Sequence, residues 1–181
     1  MEFYEKTTCS DVKYEGRILK LRVDTVQLPD GSTASREIVE HSGGVAVVAV
    51  DENGFVYMVN QFRKPYERVI TELPAGKLNE GEDPLQCGVR ELEEETGLWA
   101  DKFISLGSAY PSPGYVREEL YIYLALGLHQ GSAHLDEGEF LTVEKIHIDE
   151  LVKKVMDNEI RDAKTVIGIL KADKYLKENL K

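Results

Sequence analysis

Residues 18–28 alternate apolar and polar side chains, Pro29-Asp30-Gly31-Ser32 follows with turn formers, and residues 33–41 continue as a second extended segment. Such a pattern predicts a β-hairpin. After Gly43-Gly44, the run Val45-Ala46-Val47-Val48-Ala49-Val50 is apolar throughout and rich in β-branched residues, which predicts a buried strand. Asp51-Glu52-Asn53-Gly54 turns the chain into a further strand at 55–62, and Pro65 ends it. Pro74-Ala75-Gly76 opens a loop, and Asp83-Pro84 then starts a helix over 84–96. Two signals agree there: Asp83 suits the N-cap with Gln86 three residues on, and proline is favoured at the first helical position. Gly97 is the expected stop. Strands are predicted at 103–110, 118–126 and 140–148, and helices at 149–158 and 162–179. The last helix carries Val166, Ile169, Leu170, Asp173, Leu176 and Leu180 at near-helical spacing, an ordinary core-facing or partner-facing stripe. There is no internal repeat, low-complexity tract or linker, so the pattern reads as an α/β chain with an N-terminal β region over 1–42 and a main domain over 43–181.

Composition narrows the function classes. The chain has 181 residues, 42% hydrophobic and 30% charged, enough to bury one full core. Its 33 acids against 22 bases give a net charge of −11, which repels phosphate backbones and anionic lipid surfaces, so neither a nucleic acid nor a membrane is expected as a partner. The excess sits in two segments: residues 72–98 hold 8 acids and 2 bases, residues 136–150 hold 6 acids and 1 base, and the remainder is neutral. No stretch approaches the roughly 18 apolar residues of a membrane span, and residues 1–10 lack the basic and apolar regions of a leader, so a cytoplasmic protein is expected. Cys9 and Cys87 form no metal-type spacing and are too few for a disulfide framework; both are expected as reduced thiols, with Cys87 packed inside.

The helix at 84–96 holds the candidate chemistry. Leu85, Val89, Leu92 and Thr96 fall within about 60° of one another at 100° per residue and are the predicted buried stripe. Glu91, Glu94 and Glu95 lie on a different arc. Like charges at i,i+4 destabilise a helix by roughly 0.2–0.5 kcal/mol a pair, and their place near the carboxyl end opposes the helix dipole. Clustered carboxylates are what Mg²⁺ or Mn²⁺ takes, leaving other coordination positions for water and substrate phosphate oxygens.

The spacing extends this pattern to Gly76, five residues, Glu82, seven residues, then Arg90-Glu91-Leu92-Glu93-Glu94-Glu95-Thr96-Gly97-Leu98. It resembles the signature box of the Nudix hydrolase family at every defined position, a match expected by chance on the order of once in ten million such chains. The resemblance implies an α/β/α sandwich around a mixed β-sheet, and hydrolysis of a nucleoside diphosphate linked to another group. It implies two or more Mg²⁺ (or Mn²⁺) ions held by Glu91 and Glu95 foremost, with Glu82, Glu94 and the carbonyl of Ala75 assisting. Arg90 is implied to orient a glutamate by a charge-assisted hydrogen bond. Gly88 stands where relatives often have alanine, which suggests close backbone packing.

Outside the box, Arg36-Glu37-Ile38-Val39-Glu40-His41, Gln61-Phe62-Arg63, Glu72-Leu73-Pro74-Ala75-Gly76-Lys77 and Asp162-Ala163-Lys164-Thr165 look like bacterial ADP-ribose pyrophosphatases, as does Pro113, 16 residues after Gly97. This branch implies a homodimer that joins through its amino-terminal strands and converts ADP-ribose to AMP and ribose 5-phosphate. Arg63 and Arg36 are then the expected phosphate or ribose contacts, with Glu40 and Glu118 at ribose hydroxyls or the partner. Glu139, or Glu137 second, is the implied base, on a loop of the second acidic segment. Phe3, Tyr4 and Tyr14 are the aromatics available to stack on adenine. The alternatives are another nucleotide sugar, such as GDP-mannose or ADP-glucose, and a non-catalytic ligand-sensing domain.

Overall fold

The computed structural model describes residues 3–135, 138 and 140–179. In chain order its strands are β1 (Lys6–Glu15), β2 (Lys20–Gln27), β3 (Thr33–Glu40), β4 (Gly44–Ala49), β5 (Phe55–Arg63), β6 (Arg68–Glu72) and β7 (Ala75–Lys77). Helix α1 (Pro84–Thr96) follows, then β8 (Leu98–Ala109), β9 (Val116–Arg117), β10 (Leu120–Gln130) and β11 (Leu141–His147), and finally α2 (Ile148–Met156) and α3 (Ala163–Asn179). The contacts divide these elements into two units. One comprises residues 1–43 and 110–119, the other residues 44–109 and 120–181.

The first unit is a four-stranded sheet ordered β1-β2-β3-β9. The predicted hairpin is β2 and β3, in register from Lys20 opposite Glu40 to Gln27 opposite Thr33. Strand β1 was not foreseen, because all ten of its residues are exposed and no buried face imposes a period of two on the sequence. The boundary expected between residues 42 and 43 is also crossed once. Val116 and Arg117 pair in parallel with Val39 and Glu40, so the excursion at 110–119 groups with the amino-terminal strands.

In the second unit, β4 lies parallel to β10 and antiparallel to β7, and β8 closes the order β7-β4-β10-β8, a mixed sheet. A second sheet, β11-β5-β6, is antiparallel. All six residues of β4 are buried, and its period of two serves two cores. Val45, Val47 and Ala49 pack with Cys87, Leu92 and Leu98 on the α1 side, whereas Ala46 and Val48 pack with Leu73, Ile122, Leu151 and Ile169 on the side of α2 and α3. This is the α/β/α sandwich of the expected fold class.

Small residues bring both flanking helices close to β4. A Cβ on Gly88 would lie 3.1 Å from Val45 Cγ1, and one on Gly168 would lie 2.5 Å from Leu73 Cδ1 and 3.2 Å from Val48 Cγ2. The stripes read from large apolar residues are turned accordingly. In α1 the buried residues are Cys87, Gly88, Leu92, Glu95 and Thr96, an arc displaced roughly 70° from the predicted one towards the glutamates. In α3 they are Thr165, Gly168, Ile169 and Ala172, while Leu170 is exposed; Leu180 lies outside the described residues.

Candidate active site

Local chemistry fixes both ends of α1. The Asp83 carboxylate accepts hydrogen bonds from the Leu85 and Gln86 amides at 3.0 and 3.2 Å, and Gly97 ends the helix in the left-handed region at φ 71°. The box carboxylates therefore stand at fixed positions on a rigid element. Glu95 is not on a solvated face: it is 2% exposed, and its Oε2 accepts the Ala75 amide at 2.9 Å. Glu91 is pressed against Gly76, where a Cβ would lie 1.8 Å from the carboxylate carbon. Only glycine at 76 leaves room for Glu91 as it stands.

Arg90 gathers the other carboxylates. Its Nε donates to Glu82 Oε1 at 2.9 Å, and its Nη1 to Glu91 Oε1 at 2.7 Å and Glu94 Oε2 at 2.8 Å. The guanidinium holds Glu82 at about 2, helped by the Asn79 amide. The same carboxylates raise Arg90 above its ordinary value, Glu82 most. Cys87 lies beneath, 3.4 Å from Arg90 Nη2. Burial first, then the charges of Glu82 and Glu91, push its thiol up to about 12, so it is a neutral packing group and no nucleophile.

Among the described residues, no three His, Cys, Asp or Glu side chains are grouped as a finished metal site. The donor chemistry nonetheless fits a hard divalent cation: the Glu82, Glu91 and Glu94 carboxylates gather on one guanidinium and the Glu95 carboxylate accepts the Ala75 amide, so every side-chain donor is oxygen. The Gly76 cradle that seats Glu91 has the same sense.

Arg63 lies in the unit that holds the box. Its Nε and Nη2 donate to Glu72 Oε1 and Oε2 at 2.7 and 2.8 Å, and Lys164 Nζ also bonds Glu72 Oε2. Burial alone would push the Glu72 carboxyl up, but the Arg63 hydrogen bonds and the Lys164 charge outweigh it and hold it below the ordinary value. Lys164 and Glu72 are 92 residues apart, so no local pattern could have paired them.

The other expected substrate contacts belong to the first unit. Arg36 makes a two-pronged pair with Glu5 at 2.8 and 2.6 Å. Glu40 lies 3.5 Å from both Arg22 and Arg117, and Glu118 lies 3.1 Å from His41 Nδ1. Pro113 sits in the turn that the Val116 amide closes on the Ser112 carbonyl. Phe3, Tyr4 and Tyr14 are all exposed. Glu137 and Glu139 lie outside the described residues, but the segment leading to them is anchored to the box. The Gly131 amide donates to the Gly97 carbonyl at 2.6 Å, and the His134 amide to the Glu94 carbonyl at 3.0 Å.

The model of the NUDIX domain matches residues 40–166, and that of the nucleoside diphosphate sugar hydrolase N-terminal domain matches residues 5–39. The chain is 44% identical to a methanol dehydrogenase activator of Bacillus methanolicus, covering 92% of this chain and 91% of that protein. It is also 44% identical to an ADP-ribose pyrophosphatase of Bacillus subtilis (strain 168), covering 91% and 90%. A crystal structure of an ADP compounds hydrolase superposes with a TM-score of 0.85 over 97% of this chain and 96% of that one, at 19% identity, which speaks for the fold alone. With its box intact on α1 and both family models matched in sequence order, the chain belongs to the Nudix hydrolase family, whose members generally need a divalent metal.

Proposed function

We propose that the chain hydrolyses ADP-ribose to AMP and ribose 5-phosphate, with Mg²⁺ or Mn²⁺ as its metal. The observation that carries the chemistry is the seating of the box: Glu91 in the Gly76 cradle, Glu95 on the Ala75 amide, and Glu82, Glu91 and Glu94 on the single Arg90 fork. The choice of ADP-ribose is supported by likeness to a pyrophosphatase of that substrate over nine-tenths of both chains.

In this reading Glu91, Glu95 and the Ala75 carbonyl hold the metal ions, with Glu82 and Glu94 assisting. When bound, such ions neutralise the diphosphate and acidify a water molecule. Arg90 keeps the carboxylates oriented and does not touch substrate. Arg63 presents positive charge to the diphosphate, and Glu139, or Glu137, accepts the proton of the water whose oxygen attacks phosphorus as the bridging P–O bond breaks. Ribose and adenine contacts are assigned to Arg36, Glu40, Pro113, Glu118 and one of the amino-terminal aromatics. The protein is proposed to act as a homodimer in the cytoplasm; among the described residues no helix is long and apolar enough to cross a membrane.

A substrate panel with Mg²⁺ tests the reading, with products resolved by chromatography. ADP-ribose should be cleaved to AMP faster than GDP-mannose or ADP-glucose. Equal or faster cleavage of GDP-mannose overturns the substrate, and no turnover of any panel member favours the ligand-sensing alternative.

A further inference from the structure

The charges around Glu72 form a closed network at the start of α3. Glu72 is 2% exposed, and both of its oxygens are used: Oε1 by Arg63 Nε, Oε2 by Arg63 Nη2 and Lys164 Nζ. Lys164 Nζ also bonds Asp162 Oδ2 at 2.9 Å, and the same oxygen accepts the amide and hydroxyl of Thr165 at 3.1 and 2.6 Å. The fully buried Thr165 hydroxyl in turn accepts the Leu73 amide at 2.9 Å. One helical turn thus ties down both the Arg63–Glu72 pair and the strand end that runs through Pro74 into Ala75.

A buried ion network is a poor source of stability, because desolvation offsets much of the attraction; what it supplies is a defined arrangement. Here the side chain of Lys164 is 13% exposed and that of Glu72 3%, whereas that of Arg63 is 39% exposed. Arg63 is the charged member of the network most open to solvent. Glu72 engages the Nε and Nη2 edge of that guanidinium, which leaves Nη1 outside the pair, and the charges of Asp162 and Glu95 act on the same guanidinium. A planar fork fixed along one edge can meet a diphosphate oxygen with little further loss of freedom.

We propose that Lys164 and Glu72 are positioning residues for substrate: they hold Arg63 in the orientation in which its free edge meets the diphosphate, so that the first turn of α3 sets substrate affinity without touching substrate. This rests on the reading of Arg63 as a diphosphate contact.

The test is a double-mutant cycle of Lys164→Met and Arg63→Ala, with Lys164→Arg as the conservative control and Glu72→Gln as a second entry into the network. Two quantities are measured: the Kd for ADP-ribose in EDTA, by calorimetry without turnover, and KM and kcat with Mg²⁺. Lys164→Met should raise Kd and KM about tenfold with kcat changed less than about threefold, and Lys164→Arg should recover most of the loss. In the Arg63→Ala background Lys164→Met should change Kd less than about twofold, and Glu72→Gln should behave likewise. The proposal is overturned if Lys164→Met leaves Kd unchanged, or raises it equally with and without Arg63 while lowering Tm equally, which is the mark of a structural role. If Arg63→Ala itself leaves Kd and KM unchanged, the diphosphate reading of Arg63 fails first and the positioning proposal falls with it. A wild-type chain that does not cleave ADP-ribose refutes the proposed substrate instead.

Discussion

Gly76→Ala separates what the box glycine does for chemistry from what it does for folding. Gly76 is not among the residues of positive φ, so alanine fits its backbone, and a Gly→Ala change at a compatible site gains about 0.4–1 kcal/mol through the unfolded chain. The new methyl would lie 1.8 Å from the Glu91 carboxylate, but that carboxylate is the far end of a flexible side chain and can swing away. Leaving its place breaks the 2.7 Å bond to Arg90, which keeps Glu82 and Glu94. A hydrogen bond to a charged group contributes about 1.5–3 kcal/mol, and with Arg90 31% exposed a discounted value near 1 kcal/mol is appropriate. The two terms nearly cancel, so Tm should stay within about 4 °C of wild type for a chain of this size. Activity has no such compensation. Displacing even an outer-shell group of a metal site costs 10–100-fold, so moving a proposed ligand should lower kcat/KM at least about 100-fold. Thermal melts and initial rates on Gly76→Ala, with Gly114→Ala as a control at a site with no atom within 4 Å of the added Cβ, give both numbers. A variant within about threefold of wild-type kcat/KM would refute the cradle, and a Tm loss above about 8 °C would show that the fold, rather than the site, requires this glycine.

Acid titration of the metal-free protein should show the Glu82–Arg90 pair. The folded carboxyl is held at about 2 against an ordinary value of 4.5, so its contribution is fully present above about 4.5 and is lost as pH falls towards 2. Glu82→Gln should flatten that limb of Tm against pH, and an unchanged slope would mean that the pair is solvated. Gly97→Ala should cost more than a helix cap, because its Cβ would lie 2.7 Å from the Ala133 amide nitrogen and 3.0 Å from the Ser132 carbonyl carbon, both backbone. Asparagine tolerates the φ of 71° but keeps the Cβ, so Gly97→Asn should lose activity nearly as far as Gly97→Ala. Wild-type rates for Gly97→Asn would show that left-handed backbone alone is the requirement.

What could be read in the sequence was what local physics determines. The caps of α1, the hairpin and the buried strand β4 each follow from a few adjacent residues, and the structure has them close to where they were expected. Strand β8 begins at Leu98, directly after the helix stop, five residues earlier than predicted: Leu98–Lys102 pairs with Gln130–Leu126 but shows no clean alternation of its own. The buried arcs of α1 and α3 are turned from the expected stripes for a related reason, although Leu92, Val166, Ile169 and Leu176 do meet the core. Gly88 and Gly168 mark the closest contacts with β4 and its neighbours, and a stripe drawn through large side chains passes beside them. The box glutamates were accessible because helical spacing places them, whereas the burial of Glu95, the Gly76 cradle and the Glu72 network depend on strands and helices far apart in sequence.

The three-dimensional arrangement also divides the acidic segment at 72–98 into two electrostatic problems with different solutions. Glu72 is buried, and two cations from outside the segment, Arg63 and Lys164, balance it. Glu82, Glu91 and Glu94 share one guanidinium, and Glu95 accepts the Ala75 amide. Glu91, Glu94 and Glu95 concentrate negative charge towards the carboxyl end of α1, where the dipole opposes it. Arg90 makes that concentration tolerable before any cation arrives, and because it engages the glutamates along the fork of one planar group it also fixes their mutual orientation. A divalent ion that binds only the folded chain adds stability by mass action, about 2.7 kcal/mol at a hundred times its Kd. The carboxylates that weaken the metal-free helix are therefore the ones through which metal binding would restore it, and the bulk charge of −11 describes the metal-free chain rather than the charge a diphosphate substrate would meet.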